Sequence, residues 1–194
     1  LVIRGGRRLS GRHVTTGNKN AALPMLAAAM LTDEPVCLTN LPLIDDVRTM
    51  LALLEDLGVQ VDLHGHEVAR RAAGIRKRTL NEALCRKVRS SILFSGPMAA
   101  RYGRVTLFPP GGDAIGRRPL DTHLSALGQL GSVVHGDQRF ACARGPLEGA
   151  RILLDEASVT ATENVVMAAV LARGETILFN AACEPHVQDL CMML

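Results

Sequence analysis

The sequence predicts an α/β fold made of about three βαβαββ units, the last one truncated, with one helix of each unit gathered at the centre. Three observations carry this. A pattern of helix, Leu-Gly and two short strands around a glycine turn occurs twice. Each unit pairs a nearly all-apolar helix with an amphipathic one. Hydrophobic residues make up 47% of the chain and aromatics only 3%, so the core is aliphatic. A helix that is apolar all round must be enclosed by protein. Three such helices are enclosed when they gather at the centre, with sheets and amphipathic helices outside.

The first unit places an apolar helix over residues 21–31 and a strand at "VCLTN", residues 36–40. "DDVRTMLALLEDLGVQVDLHGHEVARRA" follows, residues 45–72. Its helix sets Val47, Met50, Leu51 and Leu54 on one face. The second unit has an apolar helix over 89–103 and a strand over 104–109. Its closing segment, 119–145, puts Leu120, Leu124 and Leu127 on one helical face. The third runs from "RILLDEA" at 151 through an apolar helix and "ETILFN". It ends in a helix with Val187, Leu190, Cys191 and Leu194 at i, i+3, i+4 and i+7. By analogy it lacks a closing Leu-Gly and strand pair, and both ends of the chain read as cut.

Composition excludes several classes. The net charge is +3, with no basic stripe interleaved with aromatics, which argues against nucleic acid. No apolar run reaches bilayer length, and neither a membrane span nor a signal peptide is expected from these residues. The five cysteines (Cys37, Cys85, Cys142, Cys183 and Cys191) form no CxxC pair and have apolar neighbours. They read as reduced core cysteines of a cytosolic protein. The histidines His13, His64, His66, His123, His135 and His186 show no metal spacing and read as turn or surface residues. No metal or cofactor is expected.

Four segments can carry chemistry. In "TTGNKNAALPML", Lys19 stands at a helix start, where the backbone already carries partial positive charge. Either it is a solvated loop lysine, or it and the first-turn N–H groups share an anionic ligand, with Asn20 as cap. Pro24 fits only if the helix has just begun. The second segment is "FPPGGDAIGRRPLDTH", residues 108–123. Gly111, Gly116, Arg117 and Arg118 nearly reproduce a Walker spacing, but Lys and Ser/Thr are both replaced, which excludes a P-loop. What remains is a flexible glycine loop carrying Asp113 and two guanidiniums, before a helix opened by Pro119 and Asp121. Guanidiniums suit phosphate and carboxylate oxygens. Third, Arg89 opens an apolar helix after "CRKV", as a ligand or as part of a solvated basic edge. Fourth, the hydroxyls of "DEASVTATEN", residues 155–164, are explained by helix capping alone.

Together these segments resemble the enolpyruvyl transferases. The matching motifs are "GNKNAALPMLAAAML", "LGVQVDLHG", "VRSSILFSGPMAARYG", "PGGDAIGRRPLDTHLSALGQLG", "EASVTATENVVMAAVLARGETILFNAA" and "EPHVQDLCMML", in family order over nearly the whole chain. Lys19-Asn20 stands where the shikimate branch has Lys-Ser, so the resemblance is to the branch that acts on a UDP-sugar. It implies an inside-out α/β barrel of three βαβαββ repeats. Residues 1–12 would supply a strand to a second domain, residues 13–194 would form most of the first, and the rest of the second domain would be absent.

The resemblance also implies an activity. The enolpyruvyl group of phosphoenolpyruvate would pass to the 3′-hydroxyl of UDP-N-acetylglucosamine with release of phosphate, opening peptidoglycan synthesis in the cytoplasm. Lys19 is similar to the lysine that contacts phosphoenolpyruvate and its tetrahedral intermediate, and Asn20 to the asparagine that holds the sugar. Arg89 and Arg118 resemble the arginines on the anionic substrate. Arg118, Pro119, Asp121, Thr122 and His123 correspond to the uridine diphosphate region, and Ser158, Val159 and Thr160 to another part of it. Asp113 stands where commoner family members carry a cysteine, and is expected to be the general acid or to aid product release. Fosfomycin alkylates that cysteine, so insensitivity is expected. The deprotonating aspartate and closing arginine of the family lie in the second domain.

Overall fold

The computed structural model describes residues 1–112, 116, 119–135, 140–143 and 146–194, with backbone alone at 134, 135 and 140–143. Asp113, Arg117 and Arg118 lie outside the described residues. Residues 1–17 form neither helix nor strand, and 1–16 are exposed, so the strand expected over 1–12 is not formed here.

The first unit comprises helix α1 (Lys19–Ala28) with a 3₁₀ turn (Ala29–Leu31), β1 (Val36–Leu38), α2 (Asp45–Leu57), β2 (Gln60–His64) and β3 (Glu67–Arg71). The second has a short helix α3 (Glu82–Cys85), a 3₁₀ segment (Arg89–Phe94), α4 (Ser95–Tyr102), β4 (Arg104–Leu107), α5 (Asp121–Gln129), β5 (Val133–His135) and β6 (Phe140–Ala143). The third has β7 (Arg151–Leu153), α6 (Val159–Ala169), β8 (Ile177–Phe179) and α7 (Pro185–Met193).

The repeat is real in the sheets. The first orders β1-β3-β2 and the second β4-β6-β5, all pairs antiparallel. In the third unit β7 and β8 run parallel across α6, with Arg151 opposite Ile177. A parallel bridge between Thr79 and Thr106 gives the second unit the matching crossover. Among the described residues the three sheets do not join into a closed barrel.

The centre is helical, as the apolar patterning requires. Leu26 and Met30 from the first unit, Phe94 and Met98 from the second, and Ala161 and Met167 from the third are sealed from water. They belong to α1 and the 3₁₀ turn that follows it, the Arg89–Phe94 segment, α4 and α6, which pack on one another. Around them α2 buries Val47, Met50, Leu51 and Leu54, the expected face, together with Leu53 and Leu57. It stops at Gly58, whose φ of 96° is the left-handed cap that glycine adopts without strain. In α5 Leu127 is buried and Leu124 half-buried, with Leu120 buried just ahead of the helix.

Some expectations are corrected. The helix expected from Arg89 opens as six residues of 3₁₀ turn, and α-geometry begins at Ser95. Pro97 is the reason: it has no N–H for the carbonyl four residues back, so it must sit in a first turn. Pro24 lies beyond the first turn of α1 and leaves the Asn20 carbonyl without its i+4 donor. Of the α7 stripe, Val187 and Leu190 are buried, whereas Cys191 and Leu194 face outward. Cys37 and Cys183 are exposed too, and of the four cysteines whose side chains are described only Cys85 is in the core. Cys37 sits at the outward-facing position of β1, between two half-buried residues.

Two arginines fix the far end of α1. Arg70, buried on β3, donates to the carbonyls of Leu26 (3.2 Å) and Met25 (3.5 Å). Burial pulls its pKa down to about 10, so it stays charged. Arg101 of α4 donates to Met30 (2.6 Å) and Thr32 (2.7 Å) and pairs with Asp33. Cations at a helix C-terminus answer its negative end. α1 is thereby anchored at its tail, leaving its beginning to face a cleft.

Candidate functional site

Three helical beginnings meet at that cleft: α1 at Lys19 and Asn20, the 3₁₀ segment at Arg89 and Ser90, and α6 at Ser158–Thr160. The start of α7 closes it. The cleft holds about 360 Å³, and its polar lining is Asn20, Ser90, Thr160, Glu163, Glu184 and His186.

At α1 the helix cap is Asn18, not Asn20. Its Oδ1 accepts from the N–H groups of Asn20 (2.7 Å) and Ala21 (3.3 Å). Asn18 precedes the helix, where a side chain can fold back on the first turn, whereas Asn20 is already inside it. The Asn20 side chain is left for the cleft. Lys19 Nζ pairs with Asp46 Oδ2 of α2 at 2.7 Å. A cation at a helix beginning is thus matched by a carboxylate from the neighbouring helix. Both partners are partly exposed, and such pairs are weak enough for an anionic ligand to replace.

Arg89, half-buried, donates through Nη2 to the Pro119 carbonyl at 3.2 Å. The start of the glycine loop is packed against the same segment and is not loose. Gly111 N–H donates to the Cys85 carbonyl at 3.0 Å. A Cβ on Gly111 would lie 1.6 Å from the Arg86 carbonyl oxygen, so only glycine fits. Gly112 has φ +90° and passes over the Arg89 backbone. Both ends of the segment carrying Asp113 and Arg118 are therefore tied to the neighbourhood of Arg89.

Behind the cleft lies a network that sequence reading missed. Asn164 of α6 is fully buried. Its Oδ1 accepts from Gly96 N–H (2.9 Å), and its Nδ2 donates to the Ile92 carbonyl (3.0 Å) and to His123 Nδ1 (2.9 Å). His123 must then carry its proton on Nε2, which donates to Thr160 Oγ1 at 3.2 Å. His123 is 3% exposed, which corrects its placement as a turn or surface residue: α5 turns it inward against α6. Burial, and secondarily the Arg89 charge, hold its pKa down at about 4, so it is neutral. Thr160 accepts from behind, and its own hydroxyl hydrogen remains for the cleft. His123 backs the cleft through Thr160 and does not line it.

Glu163 is the second residue missed. It is 1% exposed, and Oε1 has no hydrogen-bond partner. Burial, aided by the charge of Glu184, pushes its pKa up to about 8. The signal was present as "TEN" inside an otherwise apolar helix, where a buried carboxyl and amide demand partners.

Of the residues singled out by sequence, Asn20, Val159 and Thr160 line the cleft, and Lys19 and Arg89 stand one position from lining residues Asn20 and Ser90. Pro119 is bound to Arg89. Ser158 caps α6, accepting weakly from Ala161 N–H at 3.4 Å. Asp121, exposed, and Thr122, half-buried, open α5. Asp113 and Arg118 lie outside the described residues.

The EPSP synthase (3-phosphoshikimate 1-carboxyvinyltransferase) family profile matches residues 3–194. Curated relatives named UDP-N-acetylglucosamine 1-carboxyvinyltransferase are similar along the entire chain. Those of Borreliella burgdorferi and Treponema denticola are 47% and 51% identical over 194 residues. That of Bradyrhizobium diazoefficiens is 50% identical over 199. The chain spans 45–46% of the length of these relatives. Among solved structures, the enolpyruvyl transferase NikO from Streptomyces tendae superposes with a TM-score of 0.81 at 21% identity, covering 97% of this chain and 45% of NikO. EPSP synthase from Acinetobacter baumannii gives 0.72 at 18%, covering 92% and 42%. At that identity these two show the fold. The profile match and the full-chain identity to the curated relatives show that the chain belongs to the EPSP synthase family of enolpyruvyl transferases.

Proposed function

We propose that a protein carrying this chain transfers the enolpyruvyl group of phosphoenolpyruvate to the 3′-hydroxyl of UDP-N-acetylglucosamine and releases phosphate, the first committed step of peptidoglycan synthesis. The observation that carries the reading is the meeting of Asn20, Ser90 and Thr160 in one cleft, with Lys19 and Arg89 beside it. Phosphoenolpyruvate is compact and highly anionic, and fixed cations at helix beginnings stabilise it most where water is scarce. Relatives at 45–51% identity bear the name of the UDP-sugar enzyme.

In this reading Lys19 leaves Asp46 for phosphoenolpyruvate, Asn20 holds the sugar, and Arg89 and Arg118 bind the anionic groups. Pro119, Asp121, Thr122 and Ser158–Thr160 flank the diphosphate and uridine, and His123 acts from behind. Asp113 supplies the proton to C3 of the enolpyruvyl group as it adds, or aids product release. With a carboxylate in place of a thiol, alkylation by fosfomycin has no good nucleophile. Residues 1–12 pair with a second domain, which also provides the base for the sugar hydroxyl and a closing arginine. Residues 13–194 form most of the first domain.

The test is phosphate release from phosphoenolpyruvate with UDP-N-acetylglucosamine or shikimate 3-phosphate as acceptor, measured on this chain and on the protein at its relatives' full length. The reading expects release with the sugar nucleotide, at full length, unaffected by fosfomycin and reduced by Asp113→Ala. Release only with shikimate 3-phosphate places the chain in the other branch, and no release with either acceptor leaves a binding module.

A further inference from the structure

The cleft contains polar groups that nothing in the described chain satisfies. Ser90 is 5% exposed and Glu163 1%, and neither the Ser90 hydroxyl nor Glu163 Oε1 has a partner. Both line the cleft, beside the apolar Leu23, Pro24 and Leu93. Buried polar atoms without partners are costly and rare in native proteins. We infer that Glu163 and Ser90 together bind an uncharged hydroxyl- or amide-bearing group, namely the sugar of the sugar nucleotide, which makes Glu163 a specificity-determining residue. This rests on the reading under Proposed function and deepens it.

The protonation state follows from the surroundings. Ionisable groups on the elements packed against α6 are Lys19 on α1, held by Asp46, Arg89 on the 3₁₀ segment, and Asp121 and His123 on α5. On α4 they are Arg101 and Tyr102, hydrogen-bonded to each other at its far end. On α7 they are His186, Asp189 and Cys191, with Glu184 just ahead, and Asp155 and Glu156 precede α6 itself. No described ion pair includes Glu163. Glu184 acts on its charge and pushes in the same direction as burial. A neutral carboxyl both donates and accepts, which suits a hydroxyl or an N-acetyl group. An anion there would meet the charge of Glu184, so phosphate and carboxylate groups belong at Lys19 and Arg89 and the sugar at Glu163.

The experiment is calorimetric titration of this full chain with UDP-N-acetylglucosamine and, separately, UDP, from pH 6 to pH 9. Wild type is expected to bind the sugar nucleotide more tightly than UDP and to lose about tenfold of that affinity at pH 9, as the acid ionises. Glu163→Gln, isosteric and permanently neutral, should stay within about threefold of wild type at pH 7 and lack that weakening. The uracil's own titration is common to both proteins. Glu163→Leu should weaken the sugar nucleotide about tenfold, the equivalent of one lost hydrogen bond, and leave UDP unchanged. An unchanged sugar advantage in Glu163→Leu, or a Glu163→Gln profile identical to wild type, overturns this inference alone. A wild type that binds UDP-N-acetylglucosamine no better than UDP overturns the proposed function as well.

Discussion

The side-chain amide of Asn164 donates to His123 Nδ1 across 2.9 Å, and this single bond decides which imidazole nitrogen carries the proton. With Nδ1 accepting, Nε2–H points at Thr160, and the Thr160 hydroxyl becomes a donor towards the cleft. The arrangement predicts a nitrogen-15 NMR signature: His123 neutral with its proton on Nε2 at pH 7. Asn164→Asp faces Nδ1 with an acceptor, so the proton should move to Nδ1 and the His123 pKa should rise.

Neutral His123 also makes stability depend on pH. Its folded pKa, about 4, lies below the ordinary 6.5, so between these values the unfolded chain binds more protons. Stability is then lost as pH falls from 6.5 to 4, by about 3 kcal/mol in all. Urea midpoints of the Glu163→Gln protein at pH 7 and pH 4.5 isolate this slope.

Glu163 acts with the opposite sign. Its folded pKa, about 8, lies above the ordinary 4.5, so the folded chain binds the extra proton, and stability falls as pH rises through that window. Glu163→Gln should therefore be more stable than wild type by about 3 kcal/mol at pH 7, a gap that closes near pH 4.5. Between pH 4.5 and 6.5 the two slopes oppose each other, and wild type alone should look nearly flat there.

The contact between α4 and α6 depends on Gly96. A Cβ there would lie 2.5 Å from the Asn164 backbone oxygen, so Gly96→Ala must push the helices apart, at a cost of about 2 kcal/mol. Asn164→Ala leaves the Gly96 N–H and His123 Nδ1 buried without partners and should cost about 3 kcal/mol. Denaturant unfolding of each variant checks both values.

Much of this fold is written in the spacing of aliphatic residues. The stripe of α2 and the Leu57-Gly58 stop are local, since each depends on a few neighbouring side chains and one left-handed glycine. The 3₁₀ opening at Arg89 was legible in principle, because Pro97 forbids the α-helical bond, but the apolar run concealed it. Lys19, Asn20 and Arg89 were visible as helix-start polar residues. The Asn164 network was not, because its partners come from three segments between residues 92 and 164 and only tertiary packing joins them. Glu163 looked like part of a capping motif until burial showed it without a partner.

Lys19 gives a prediction that separates binding from stability. Its bond to Asp46 is a partly exposed surface pair, so Lys19→Ala should change stability by no more than about 0.5 kcal/mol. The same change removes a cation from the proposed phosphoenolpyruvate site and should lower turnover at full length by about a hundredfold or more. Parallel melting and phosphate-release assays compare the two effects.

The central claim, that the beginnings of α1, the 3₁₀ segment and α6 form one ligand cleft, is tested most directly by amide chemical-shift mapping of this chain with UDP-N-acetylglucosamine. The account predicts that Asn20, Ser90, Thr160 and Glu163 shift together along one saturation curve, while the β2–β3 hairpin stays still. Silence at those four residues, or separate curves for Asn20 and Thr160, would contradict it.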